Sequence, residues 1–126
     1  MPVRSLSSSV LRWPDSNAVE DSLRRWIEKI MKHRTRVLRI GYFGSLARGD
    51  WGVGSDLDLI IVVENSNQPF ERRSTEWDIT ELAVPADLLV YTEAEWQSLG
   101  KQKRFCETLM HEAVWVYEHE STKGVV

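Results

Sequence analysis

The 126-residue sequence predicts an α/β (α+β) domain in which a small mixed β-sheet of about four strands is flanked by helices. Three observations carry that expectation. Short apolar runs at 36–43, 56–63, 86–91 and 113–117 have the length and composition of strands. Ahead of the first and between the later ones lie segments whose apolar residues recur at helical spacing. With 42% hydrophobic and 10% aromatic residues the chain can fill one core, so 1–126 is expected to be a single domain. Within it, 1–13 reads as a loose lead-in and 119–126 as a frayed tail.

The first helix starts near Pro14. Asn17 with Glu20 three residues on fits a capping box, and Val19, Leu23, Trp26, Ile27, Ile30 and Met31 share one face. Its basic end, Lys29, Lys32, His33, Arg34 and Arg36, suits a helix C-terminus and solvated surface better than a ligand site. The strand at 36–43 delivers Gly44 and Ser45, and 46–48 is compatible with a short helix. Three glycines in 49–54 let the chain swing back, so that the strand at 56–63 lies beside the first. Asp50 reads as a turn residue; Trp51 is as well suited to covering the core or meeting a partner as to stacking on a base.

A polar break at 65–68 and Pro69 precede an expected helix over 70–82, on Phe70, Trp77, Ile79 and Leu82. Pro85 ends it, and the third strand, 86–91, is apolar apart from Asp87. Thr92 with Glu95 caps a helix over 93–99 that Gly100 terminates. A further helix over 101–111 would turn Phe105, Leu109 and Cys106 inward, before an edge strand at 113–117.

Composition narrows the function. A net charge of −3 disfavours a protein that grips long nucleic acid through its phosphates, yet is compatible with a small nucleotide bound through metal. Cys106, the only cysteine, permits no intrachain disulfide and reads as a buried small hydrophobe. No apolar run has the length of a membrane span and no signal-peptide core is visible, so a cytoplasmic location is expected. His111 and His119 lack the spacing of a zinc site.

The chemistry concentrates in residues 41–64. Side chains alternate along a strand, so Asp56 and Asp58 point to one side and Leu57 and Leu59 to the other. Two converging carboxylates repel and raise each other's pKa unless a cation lies between them. Hard oxygen donors suit Mg²⁺ or Mn²⁺, which complete their shells with water and substrate phosphate. Upstream, glycine at position 44 permits close backbone approach, its neighbouring N–H groups attract anions, Ser45 adds a hydroxyl, and Arg48 adds a fixed charge suited to phosphate. Ser55, before the first aspartate, is a further hydroxyl for nucleotide binding. Asp87 interrupts an apolar strand, where a carboxylate needs a charge partner or metal. The alternative is an aspartate that caps local backbone.

Gly44-Ser45, ten intervening residues and then Asp56-x-Asp58 resembles the signature of the DNA polymerase beta superfamily of nucleotidyltransferases. The fuller string G-S-L-A-R-G followed by G-S-D-L-D-L is similar to its minimal nucleotidyltransferase (MNT) domains, including MNT antitoxins paired with HEPN proteins. In element order the resemblance spans roughly residues 17–118. It implies a nucleotidyltransferase fold, with Asp56, Asp58 and Asp87 as catalytic and metal-holding carboxylates for two Mg²⁺ ions, and Gly44, Ser45 and Arg48 on the phosphates of ATP. It departs from many relatives in carrying Leu46 where a basic residue follows Gly-Ser.

The implied reaction is attack of an acceptor hydroxyl on the α-phosphorus of a nucleoside triphosphate, with pyrophosphate leaving; two metals would stand about 3.5 to 4 Å apart. Relatives that modify antibiotics or polymerise nucleotides have an extra acceptor domain, for which this chain is expected to lack room. A partner HEPN protein, with a tyrosine hydroxyl as acceptor, is therefore expected, and self-association is open. The alternatives are an inactive binding module that neutralises or scaffolds its partner by contact, and an aminoglycoside-type small-molecule nucleotidyltransferase.

Overall fold

The computed structural model describes residues 13–33, 36–99 and 111–119. Helix α1 (Ser16–Met31) buries Val19, Leu23, Trp26 and Ile27, with Ile30 and Met31 packed at the rim, which is the face its apolar spacing predicts. Its N-cap is Asp15, whose carboxylate accepts the Ala18 N–H at 2.8 Å, and the expected Asn17–Glu20 capping box does not form. The start is displaced because Asp15, extended at φ −78° and ψ 173°, reaches the first free N–H groups. Glu20 is drawn away instead to accept the Tyr42 hydroxyl at 3.0 Å.

Among the described residues four strands follow: β1 (Val37–Phe43), β2 (Leu57–Val63), β3 (Ala86–Thr92) and β4 (Val114–Glu118). Their order in the sheet is β3-β2-β1-β4, with β1 antiparallel to both β2 and β4 and β2 parallel to β3, so the sheet is mixed as expected. Central β2 is buried on both sides, which explains its nearly unbroken apolar run. Leu57, Leu59 and Ile61 face α1 in the main core, while Ile60 and Val62 join Leu38 in a second cluster rimmed by Phe43, Tyr91, Trp96 and Trp115. Each fully buried large side chain contributes about 1.5–3 kcal/mol relative to exposure.

A short helix, α2 (Ser45–Arg48), follows β1 directly, and the loop from Gly49 to Gly54 returns the chain into β2. The helix expected over 70–82 stops early. It consists of one turn, α3 (Phe70–Arg73), and a 3-10 turn (Ser74–Glu76), after which the chain runs irregularly to Pro85. Local hydrogen bonding competes with the helix: Thr75 Oγ1 donates to Arg72 O, and the Asp78 carboxylate accepts both the N–H and the hydroxyl of Thr80. Trp77, Leu82 and Val84 are buried in this extended crossing, held by the Trp26 indole N–H on Asp78 O at 2.6 Å.

Helix α4 (Glu93–Leu99) has the predicted capping box: Thr92 Oγ1 accepts the Glu95 N–H and Glu95 Oε1 accepts the Thr92 N–H. The segment expected to form a helix over 101–111, with Phe105, Cys106 and Leu109, lies outside the described residues except for helical His111. The final strand is an edge strand, one residue later than expected. Among the described residues no helix is long and apolar enough to cross a membrane.

Candidate functional site

The site forms where β1 ends. Asp58 is the register partner of Phe43, and the next residue, Gly44, turns the chain at φ 76° and ψ −150° into α2. A Cβ on Gly44 would lie 2.3 Å from Asp58 Oδ2. Only glycine satisfies both the backbone angle and that approach, so the turn and the carboxylate are built as one unit.

Asp87 is the direct partner of Asp58 across the parallel β2–β3 pair. Paired residues of neighbouring strands share a face, so both carboxylates stand on the side opposite α1. Asp56 lies just before β2, exposed, and its charge acts on Asp58. The Asp58 carboxyl is pushed above the usual range, first by burial and then by the charges of Asp87 and Asp56, with Arg48 opposing. Asp87 is exposed, because β3 is an edge strand, so it needs no partner on grounds of burial. Its register opposite Asp58 is what distinguishes it.

The donor set suits a hard divalent cation. Asp58 and Asp87 supply carboxylate oxygens from adjacent strands, and among the described residues no ion pair neutralises Asp56, Asp58 or Asp87. Two carboxylates set on one face, whose repulsion at Asp58 is opposed by the Arg48 charge without an ion pair, fit the metal that the aspartate pattern implies. Among the described residues, however, no group of three acidic, histidine or cysteine side chains is gathered closely enough to hold an ion. Beside the pair opens a cleft of about 590 Å³, lined by Phe43, Asp58, Ser74, Thr75, Asp87 and Leu89 among others.

Arg48 stands half-exposed at the end of α2, its guanidinium 3.4 Å from Asp50 Oδ2 and 3.4 Å from Glu112 Oε1. Ser45 opens α2, and its carbonyl accepts the N–H groups of Gly49 and Asp50. Ser55 Oγ accepts the Gly52 N–H and so closes the preceding loop. Trp51 packs on the core rim and donates its indole N–H to Pro14 O at 2.9 Å, a covering role.

Glu112 is the residue that the sequence does not announce. Its Oε2 accepts the Gly44 N–H at 2.7 Å, although the two residues are 68 positions apart. No local pattern marks it, because only the placement of β4 against β1 brings it here.

The family model described as "Nucleotidyltransferase domain" matches residues 24–116. Among solved structures, the fold is similar to a Sulfolobus solfataricus protein described as a candidate nucleotidyltransferase (TM-score 0.56, 20% identity, covering 85% of this chain and 91% of that one). It is also similar to a chain of a toxin–antitoxin complex with AMP-PNP (TM-score 0.50, 15% identity, 86% and 77% covered). A third is a chain of the MntA–HpeT toxin–antitoxin complex carrying a tyrosine-to-alanine substitution (TM-score 0.52, 14% identity, 79% and 74% covered). No curated protein matches the chain at a significant level.

Proposed function

Because the chain belongs to the nucleotidyltransferase domain family, we propose that it transfers a nucleotidyl group, AMP from ATP, to a hydroxyl of a protein partner and thereby acts as an antitoxin. The observation that carries the proposal is Asp58, fixed against Gly44 on one side and opposite Asp87 on the other.

Asp56, Asp58 and Asp87 would hold Mg²⁺, which when bound supplies positive charge to the attacking and leaving oxygens. Gly44 N–H, Ser45 and Arg48 bind the phosphate tail and keep the α-phosphorus beside the carboxylates. The acceptor hydroxyl enters along the cleft beside β3; its oxygen forms a bond to the α-phosphorus, the bond to the β-phosphate oxygen breaks, and pyrophosphate leaves. The hydroxyl proton passes to Asp87, whose exposure lets it return the proton to solvent.

The two toxin–antitoxin neighbours support a protein as acceptor, and the motif's likeness to MNT antitoxins supports a HEPN-family toxin with a tyrosine as the modified group. Incubating the chain with Mg²⁺, α-labelled ATP and the product of the neighbouring gene is expected to label that product on tyrosine. An unlabelled product with an intact complex sinks the proposal. A second reading, neutralisation by contact alone, is favoured by Leu46, which is buried where a basic residue would meet phosphate. Asp56→Ala with Asp58→Ala separates the two: transfer predicts loss of labelling and of neutralisation with binding kept, contact predicts neutralisation unchanged.

A further inference from the structure

The Gly44 N–H belongs to no helix or strand ladder and is satisfied by a side-chain carboxylate from the far end of the chain. One oxygen of Glu112 takes that N–H at 2.7 Å and the other lies 3.4 Å from Arg48 Nη1. A carboxylate that bridges a backbone N–H and a guanidinium uses the donors that two oxygens of a phosphate would use. The Glu112 side chain is only 18% exposed, and it sits within reach of the Asp58 charge. A like charge is tolerated there because Gly44 and Arg48 offset it.

We infer that Glu112 is a tethered competitor for the phosphate tail, holding the Gly44 and Arg48 donors until a nucleotide displaces it. This rests on the nucleotidyl-transfer reading and adds a control to the same site. Triphosphate and carboxylate cannot share one N–H, and two anions side by side would repel. Displacement needs no movement of the backbone: β4 is pinned to β1 by the pairs Gly41 with Trp115 and Tyr42 with Val114, so the Glu112 side chain only has to rotate out. The apparent affinity for nucleotide is reduced by the fraction of molecules in which the carboxylate is docked.

The test is calorimetric titration of the full chain with Mg·AMP-PNP and, separately, with Mg²⁺ alone. Glu112→Gln and Glu112→Ala are expected to bind Mg·AMP-PNP on the order of tenfold more tightly than wild type. Both are expected to bind Mg²⁺ alone no more tightly, since one attractive carboxylate is gone. Asp50→Asn removes an equal charge from beside Arg48 without touching Gly44, and is expected to tighten binding much less. Equal tightening by Asp50→Asn, or unchanged or weaker binding in both Glu112 variants while wild type binds, overturns the inference and leaves the transfer reading standing. No binding by any chain, wild type included, overturns both.

Discussion

At the residue scale the fold disfavours the charged form of Asp58. Burial and the neighbouring aspartates hold its carboxyl above the usual range, so the folded state favours the protonated form more than the unfolded chain does. Its contribution to stability is therefore present below the ordinary carboxylate pKa and is lost as pH rises through the raised folded value. Asp58→Asn, which mimics the neutral form, should raise the melting temperature at pH 7 by a few °C and by less at pH 4. The same substitution should abolish Mg²⁺-dependent nucleotide binding. Thermal unfolding across that pH range checks the first expectation; a variant that melts earlier than wild type at pH 7 contradicts it. The pattern of Gly44, Asp56 and Asp58 was visible in the sequence because strand alternation and glycine chemistry are local. At Asp87 the apolar run around it suggests burial, whereas an edge strand leaves it exposed.

At the element scale, the segment between β2 and β3 is organised by a buried arginine rather than by helical periodicity. Arg73 donates to Glu95 through two nitrogens, at 2.5 and 3.1 Å, and also to Gln68 O and Val90 O. It thereby ties α3 and α4 to β3, the strand that carries Asp87. Hydrogen bonding to Arg73 first, and to Thr92 in addition, pulls the Glu95 carboxyl below its usual range. That stabilisation is present above the unfolded pKa and disappears as pH falls through the lowered folded value. Glu95→Gln should cost about 1–2 kcal/mol at pH 7, less than a fully buried pair because Glu95 is 42% exposed. The loss, read from urea unfolding, should shrink toward acid pH. A cost that stays constant from pH 7 to pH 3 would mean that packing, not charge, holds α4. The expected long helix failed here because the spacing of Phe70, Trp77 and Leu82 fits a helical face and an irregular buried crossing equally well.

For the whole molecule, the decisive contact is that of β4 with β1. A Cβ on Gly41 would meet Trp115 Cε3 and Val114 O at 2.7 Å each, one of them backbone that cannot give way cheaply. Gly41→Ala should therefore destabilise the fold by about 1–3 kcal/mol in urea unfolding. Because β4 sets the position of Glu112, it should also loosen the Glu112 contact with Gly44. A variant as stable as wild type would show that the edge strand adapts and that its register does not fix the site.

By itself the sequence determined the strand count, the mixed α/β class, the glycine turn and the aspartate pair, since each follows from spacing over a few residues. Tertiary structure alone decided the strand order, the register that sets Asp87 opposite Asp58, the end of α3 and the arrival of Glu112 at Gly44. Those depend on which distant segments pair. The pairing is chosen by the summed burial of whole faces and by close backbone approaches such as that at Gly41, quantities that no short stretch of residues encodes.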